Sequence, residues 1–267
     1  MCCCDILVDI LQDKGFMANS IKGIIYAAHA AFSKIWWKIM GRGRIDYFSV
    51  PIIINNFNRL TDLKLLIDSL KSRGYHNIII LDNASSYPPL LEYYQHCECK
   101  VKLLGHNYGF QALWESGVYK EFKKNWYIYT DPDVVLDESC PSNFVERLFS
   151  ILMKYPLASK AGLGIRIDDI PDCYSQKDSV LKFEAEYWEN EIERGVYKAL
   201  VDTTLALYPP RQKWGTNINK LMLRTGFPYV IKHLPWYVDS NDITEEEKYY
   251  INHCAKKASL WINNESC

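Results

Sequence analysis

The chain lacks several features that would have assigned it at once. It has no C-x-x-C pair among its nine cysteines, and neither "MCCC" (1–4) nor "CEC" (97–99) has zinc-finger spacing. The odd count points to reduced thiols and a cytosolic setting. No targeting motif surrounds Cys2, Cys3 and Cys4 to make them lipid-attachment sites. No stretch reaches the ~20 apolar residues that cross a bilayer; the longest uncharged candidate, 23–33, stops at Lys34. The first residues carry acids and no basic start, so a secretory signal is not expected. Net charge is also missing: at −1, the molecule has no nucleic-acid footprint. Internal repeats and low-complexity segments are absent.

What is present is apolar mass. With 48% hydrophobic and 14% aromatic residues, 267 residues can bury the core of one large domain, or of one domain with an appendage. Residues 1–44 read as that appendage. Between Ile21 and Arg44 there are five basic residues and no acid. Ile21, Ile24, Ile25, Ala28, Phe32, Ile35, Trp36 and Ile39 recur at helical spacing. Two readings stand: a basic amphipathic helix lying on an anionic membrane surface, or an ordinary helix packed on the main domain. The first implies a cytoplasmic protein attached peripherally to the inner face of the cell membrane. "GRGR" (41–44) reads as the helix end and a hinge.

From residue 45 the pattern changes. Apolar runs at 47–54, 76–82, 100–104 and 126–130 read as strands, separated by helical patterns at 61–74, 88–95 and 110–122. Continuous apolar strands alternating with helices indicate an α/β fold whose parallel sheet is covered on both faces. Ligands then bind beyond the carboxyl ends of the strands, and a polar cluster follows each: "NNFNR", "DNASS", "GHNYG" and "DPD". A helix near 141–154, irregular segments and a helix near 244–257 complete the chain.

The stretch "NWYIYTDPDVVL" (125–136) ends a buried strand on two carboxylates. Proline pushes the residue before it toward extended backbone. Asp131 and Asp133, two apart in extended chain, face the same side with Cα atoms roughly 6.5–7 Å apart. Paired carboxylates invite a hard divalent cation such as Mg²⁺ or Mn²⁺. An Asp-Pro-Asp turn is the plain alternative; the strand-end position favours the cation.

These four clusters, in this order, resemble the nucleotide-sugar half of GT-A fold glycosyltransferases, and are similar to the large family 2 group. The resemblance rests on "INNFNRL", "LDNASS", "NYGFQAL" and "TDPD"; Asn55 stands where threonine is common. It implies a mostly parallel GT-A sheet flanked by helices, with 45–267 divided into a nucleotide-sugar-binding half (45–136) and an acceptor half (137–267). It also implies that Asn55, Phe57, Asn58, Arg59 and Asp82 hold the base and ribose, and that the chain approaches the donor at Asn107 and Gly109. Asp131 would meet ribose and metal, and Asp133 the metal, with His233 in "IKHLPWY" as a third ligand. Phe57 reads equally as core, and His233 equally as fixed by a local hydrogen bond.

The acceptor side is less distinct. An inverting enzyme needs a base, and the candidates are Asp202 in "LVDTT", Glu184 and Glu186 in "FEAEYW", and Asp168 and Asp169 in "RIDD". Asp202 is favoured because it sits between apolar runs, where a charge must be paired or functional. Glu184 and Glu186 fall in an acid-rich helix that reads as a solvated face. Trp236 and Tyr237 would suit stacking on a sugar, or the core. The resemblance implies a metal-dependent transferase using a nucleotide donor, a UDP-sugar, and a saccharide acceptor such as a polyprenyl-diphosphate-linked chain in polysaccharide assembly. The alternatives are a non-catalytic scaffold on the same fold, or a sugar-phosphate nucleotidyltransferase, whose G-x-G-x-R loop is missing.

Overall fold

The computed structural model describes residues 15–39, 45–213 and 220–254. Cys2–Cys4 and the hinge expected at 41–44 lie outside the described residues. Element α1 (Gly15–Ile39) is a single helix, followed after a short 3-10 turn by β1 (Ile52–Asn56), α2 (Thr61–Lys71), β2 (Ile78–Asp82), α3 (Pro88–His96) and β3 (Lys100–Leu103). Next come α4 (Ala112–Glu115), α5 (Tyr119–Phe122), β4 (Tyr127–Thr130), β5 (Val134–Leu136) and α6 (Phe144–Lys154). The second half holds β6 (Lys160–Gly162), β7 (Gly164–Ile165), α7 (Lys177–Ala185), β8 (Glu191–Glu193), β9 (Val196–Lys198), β10 (Ala206–Tyr208), β11 (Met222–Thr225), β12 (Val230–His233) and α8 (Glu245–His253).

Nine strands form one sheet in the order β3-β2-β1-β4-β10-β6-β11-β9-β8, and β5-β12-β7 form a smaller one. The pairings β3·β2, β2·β1 and β1·β4 are parallel, and β10 inserts antiparallel between β4 and β6. Only β10 and β9 run against the rest. This is the mostly parallel α/β architecture expected from the sequence.

Side chains alternate across the sheet. Ile52, Ile54, Ile78, Ile80 and Ile128 join α2 and α6 in the larger core. Ile53, Ile79, Leu81, Tyr127 and Tyr129 join Leu113, Tyr119 and Tyr208 on the other face. The helix expected over 110–122 is broken into α4 and α5, because Gly117 sits at φ +82°, a left-handed conformation that ends a helix. Strand β3 has no fully buried residue, as befits the edge of the sheet.

Candidate functional site

The site is assembled where the parallel strands end. Thr130 closes β4, and the loop after it is tied down on two sides. The Asp131 N–H donates to Thr203 O at 2.8 Å, and Leu234 N donates to Asp133 O at 2.8 Å. Thr203 Oγ1 also donates to Asp131 Oδ2, and Leu205 N donates to Thr130 Oγ1 at 3.0 Å. Strand β10, running antiparallel beside β4, therefore delivers residues 202–205 to Asp131. Thr203 was not singled out from the sequence, although it stands next to Asp202 in "DTT".

His233, the last residue of β12, brings Nε2 to 3.8 Å from Asp133 Oδ2. That gap exceeds a hydrogen bond and lies within the reach of two metal–ligand bonds of about 2.1 Å each. The His233 Nδ1 is buried without a hydrogen-bond partner. Burial holds the imidazole below its usual pKa, with the Asp133 charge acting in the opposite sense; neutral imidazole is the metal-binding form. Burial and then the Asp133 carboxylate push the Asp131 carboxyl well above the usual range, while the Thr203 hydroxyl and Asn55 act against that shift. A cation between such groups would relieve both the repulsion and the burial cost. The expected three-ligand set is corrected in one respect. Among the described residues no three His, Cys, Asp or Glu side chains converge on one point. Asp131 is turned to Thr203, leaving Asp133 and His233 as the facing pair.

The loops after β1, β2 and β3 meet the same spot, with several side chains bracing rather than open. Asn55 Nδ2 donates to Gly109 O at 3.2 Å, and Asn55 Oδ1 is buried without a partner. Asp82 is 3% exposed. Its oxygens accept from Tyr94 OH and Ser85 N, each at 3.0 Å, so it is more enclosed than a free strand-end carboxylate. Asn58 is fully buried at φ +53°, and its Oδ1 accepts from Ser86 N and Tyr87 N. It joins the loops after β1 and β2, a bracing role instead of the base contact expected. Asn107 and Gly109 are exposed, and the Gly109 N–H donates to Asn107 Oδ1 at 2.8 Å.

The helix expected near 244–257 is α8, and it covers these loops, a contact that the sequence did not indicate. The Glu247 carboxylate of α8 forks onto the Arg59 guanidinium, Nη2 to Oε1 being 3.1 Å, and the Tyr250 ring lies 3.8 Å beneath it. Glu246 accepts from Leu60 N and Thr61 N at 2.8 and 2.9 Å. It thus caps α2 from across the chain. Phe57 packs edge-on to Tyr250.

On the acceptor side two expectations reverse. Asp202 is exposed rather than embedded, because residues 202–205 form the loop that reaches Asp131. Glu184 is 3% exposed rather than solvated, and its Oε2 accepts from Arg224 Nη1 at 2.7 Å in a buried ion pair. Glu186 is exposed. Trp236 is buried in the larger core, its ring centre 4.6 Å from that of His233, so it is packing rather than a sugar platform. The Tyr237 hydroxyl donates to Asp169 Oδ1 at 2.5 Å. Asp168 and Asp169 both lie against Arg166.

No protein-family model matches this chain, and no curated protein does. Solved structures similar in fold include GalNAc-T7 with UDP, GalNAc and Mn²⁺, at 14% identity and a TM-score of 0.46, covering 69% of this chain and 43% of that one. Another is glucosyl-3-phosphoglycerate synthase from Mycobacterium tuberculosis with phosphoglyceric acid, at 13% identity and a TM-score of 0.42, covering 69% of this chain and 71% of that one. The same synthase with Mn²⁺, UDP-glucose and phosphoglyceric acid aligns at 13% identity and a TM-score of 0.38, covering 61% and 56%. The chain thus spans less than half the length of the first of these.

Proposed function

We propose that the protein is a glycosyltransferase that moves a sugar from a nucleotide donor, a UDP-sugar, to a saccharide acceptor, with Mn²⁺ or Mg²⁺ held by Asp133 and His233. The observation that carries this reading is the facing Asp133–His233 pair, 3.8 Å apart at the end of β4 and β12 and beside Asp131, where the loops after β1 and β2 also converge. When bound, the ion supplies Lewis-acid stabilisation of charge on the departing diphosphate. Asp133 and His233 would orient it. Asp131, fixed by Thr203, would line the ribose, and the loops at 55–59, 82–86 and 107–109 would enclose the nucleoside. Asp202 stands exposed beside Asp131, free to accept the acceptor's hydroxyl proton if the reaction inverts.

The test is a calorimetric titration of UDP with and without Mn²⁺, on wild-type protein and Asp133→Asn, followed by donor hydrolysis across a set of nucleotide sugars. The expected result is binding that strengthens with Mn²⁺ in the wild type and does not in the variant. UDP binding indifferent to metal, or metal-dependent binding retained by the variant, overturns the assignment.

A further inference from the structure

Helix α1 is amphipathic in the opposite sense to a helix that completes a core. The side turned to the body carries Ala30, Ser33, Lys34 and Trp37, all buried. Lys34 Nζ donates to the carbonyls of Pro156 and Ala158 at 2.9 and 2.5 Å, and Gln212 Nε2 lies 2.8 Å from His29 Nδ1. The side turned away carries Ile21, Ile24, Ala28, Phe32, Ile35 and Ile39, all exposed, with Ile24 at 68% and Ile39 at 74%. Steps of three and four residues keep them on one stripe for five turns, about 27 Å. Isolated exposed isoleucines are ordinary, but an aligned row marks a surface that something covers.

The surroundings of the stripe say what covers it. Lys22 and Lys38 flank it on α1, and the Arg211 guanidinium lies 4.1 Å over the Trp36 ring. Arg211 N donates to Lys123 O, bringing Lys123 and Lys124 close by, and Lys213 is two residues on. No acid occurs between Ile21 and Arg44. Two copies pressed stripe to stripe would bring these cations together, whereas an anionic lipid surface complements both the apolar row and its cationic margin.

We propose that α1 lies in the surface of an anionic membrane, its stripe at the headgroup–acyl boundary. The site stands independently of the transferase reading. Its place in the fold adds a consequence for that reading. Trp37 packs on Trp126 just before β4 (ring centres 5.8 Å apart), Lys34 reaches the segment before β6, Trp36 meets the segment after the antiparallel β10, and Lys220 before β11 lies 4.6 Å over the Tyr26 ring. All of these lie at the amino ends of the parallel strands, opposite the carboxylates. Residues 126–131 span roughly 17 Å. With the thickness of α1, membrane docking holds Asp131 on the order of 25 Å from the lipid plane and faces it away. A sugar attached directly at the headgroup level is then out of reach; a lipid-linked acceptor must extend by about that length.

The experiment is sedimentation of the full chain with vesicles of phosphatidylcholine, alone or with about 30% phosphatidylglycerol. The protein is wild type, Ile24→Ser/Ile35→Ser/Ile39→Ser, or Lys38→Glu, each checked for folding by circular dichroism. Wild type should pellet with the anionic vesicles and be released by high salt. The triple variant should bind at least about 10-fold more weakly, and Lys38→Glu should weaken binding to anionic vesicles alone. Wild type left in the supernatant, or a triple variant that binds as well as wild type, overturns the proposal. So does a lipid-free dimer in sedimentation velocity that the triple variant splits, which would assign the stripe to a second copy.

Discussion

Residues 45–136 and 137–267, the halves here proposed to hold donor and acceptor, treat charge in opposite ways. At the end of β4, Asp131 and Asp133 stand together with no arginine or lysine in ion-pair contact among the described residues, and burial and their mutual repulsion distort the Asp131 titration. Across the acceptor half, acids are neutralised by cations: Glu184 by Arg224, Asp169 by Lys232, and Asp137 by Arg166. Asp202 is the contrast within that half. It is exposed, beside Asp131, and has no ion-pair partner among the described residues. Charge compensated inside the protein holds the fold; charge left without an ion pair at the strand ends is what the proposed cation would neutralise.

The comparison breaks most sharply at Asp133. Asp133→Asn keeps the shape and removes the charge, and should lower turnover by about 10³-fold or more, the scale of lost metal-ion stabilisation. Turnover at subsaturating Mn²⁺ is the measurement, and an unchanged rate defeats the assignment. Asp202→Asn should leave UDP affinity unchanged and slow transfer by roughly 10²–10⁴-fold. Survival of transfer within a few-fold, or retained anomeric configuration in the product, removes the base role. On the compensated side the effect is on stability. Arg224→Leu strands the buried Glu184 carboxylate and should cost about 3–5 kcal/mol, a fall in Tm of roughly 10 °C with UDP affinity of the folded fraction intact. A Tm within a degree or two of wild type would mean that Glu184 is not held as a charge.

The smallest effect concerns buried amines. Burial lowers Lys34 and Lys160 to about 7 and Lys220 to about 8, against 10.5 for a free lysine. From pH 7 upward the unfolded chain therefore binds more protons than the folded one, so stability should rise with pH until the free amines titrate. Tm measured between pH 7 and about 9.5 should climb, and Lys34→Met should flatten the climb. A flat or falling wild-type profile contradicts it.

The donor half was legible because continuous isoleucine runs mark buried parallel strands, and the polar residue that ends each run marks the ligand edge. The acceptor half resisted because its strands are two to four residues long, too short for a period to emerge. Asp202 and Glu184 were placed the wrong way round with respect to burial, since a flanking apolar run does not reveal a loop and an acid-rich helix does not reveal Arg224 forty residues on. Glu246 and Glu247 stand in a run of three glutamates that carries no local sign of their partners. Only the fold brings them to Arg59 and Thr61. In α1 the helical period was visible, but which side of it faces the body was not.

The clamp from α8 has a consequence for the order in which the protein is made. Leu60 N receives its acceptor from Glu246, 186 residues later. At translation rates of about 5–20 residues per second, that carboxylate leaves the ribosome roughly 10–40 s after the loop it completes. Through that interval β1, β2 and β4 can pair, while the start of α2 stays uncapped and Arg59 has Asp62 at 3.8 Å but not the Glu247 fork. The nascent first half is thus a sheet with an unfinished rim, and the nucleotide affinity proposed above should arrive with residues 245–253 rather than with the strands before them.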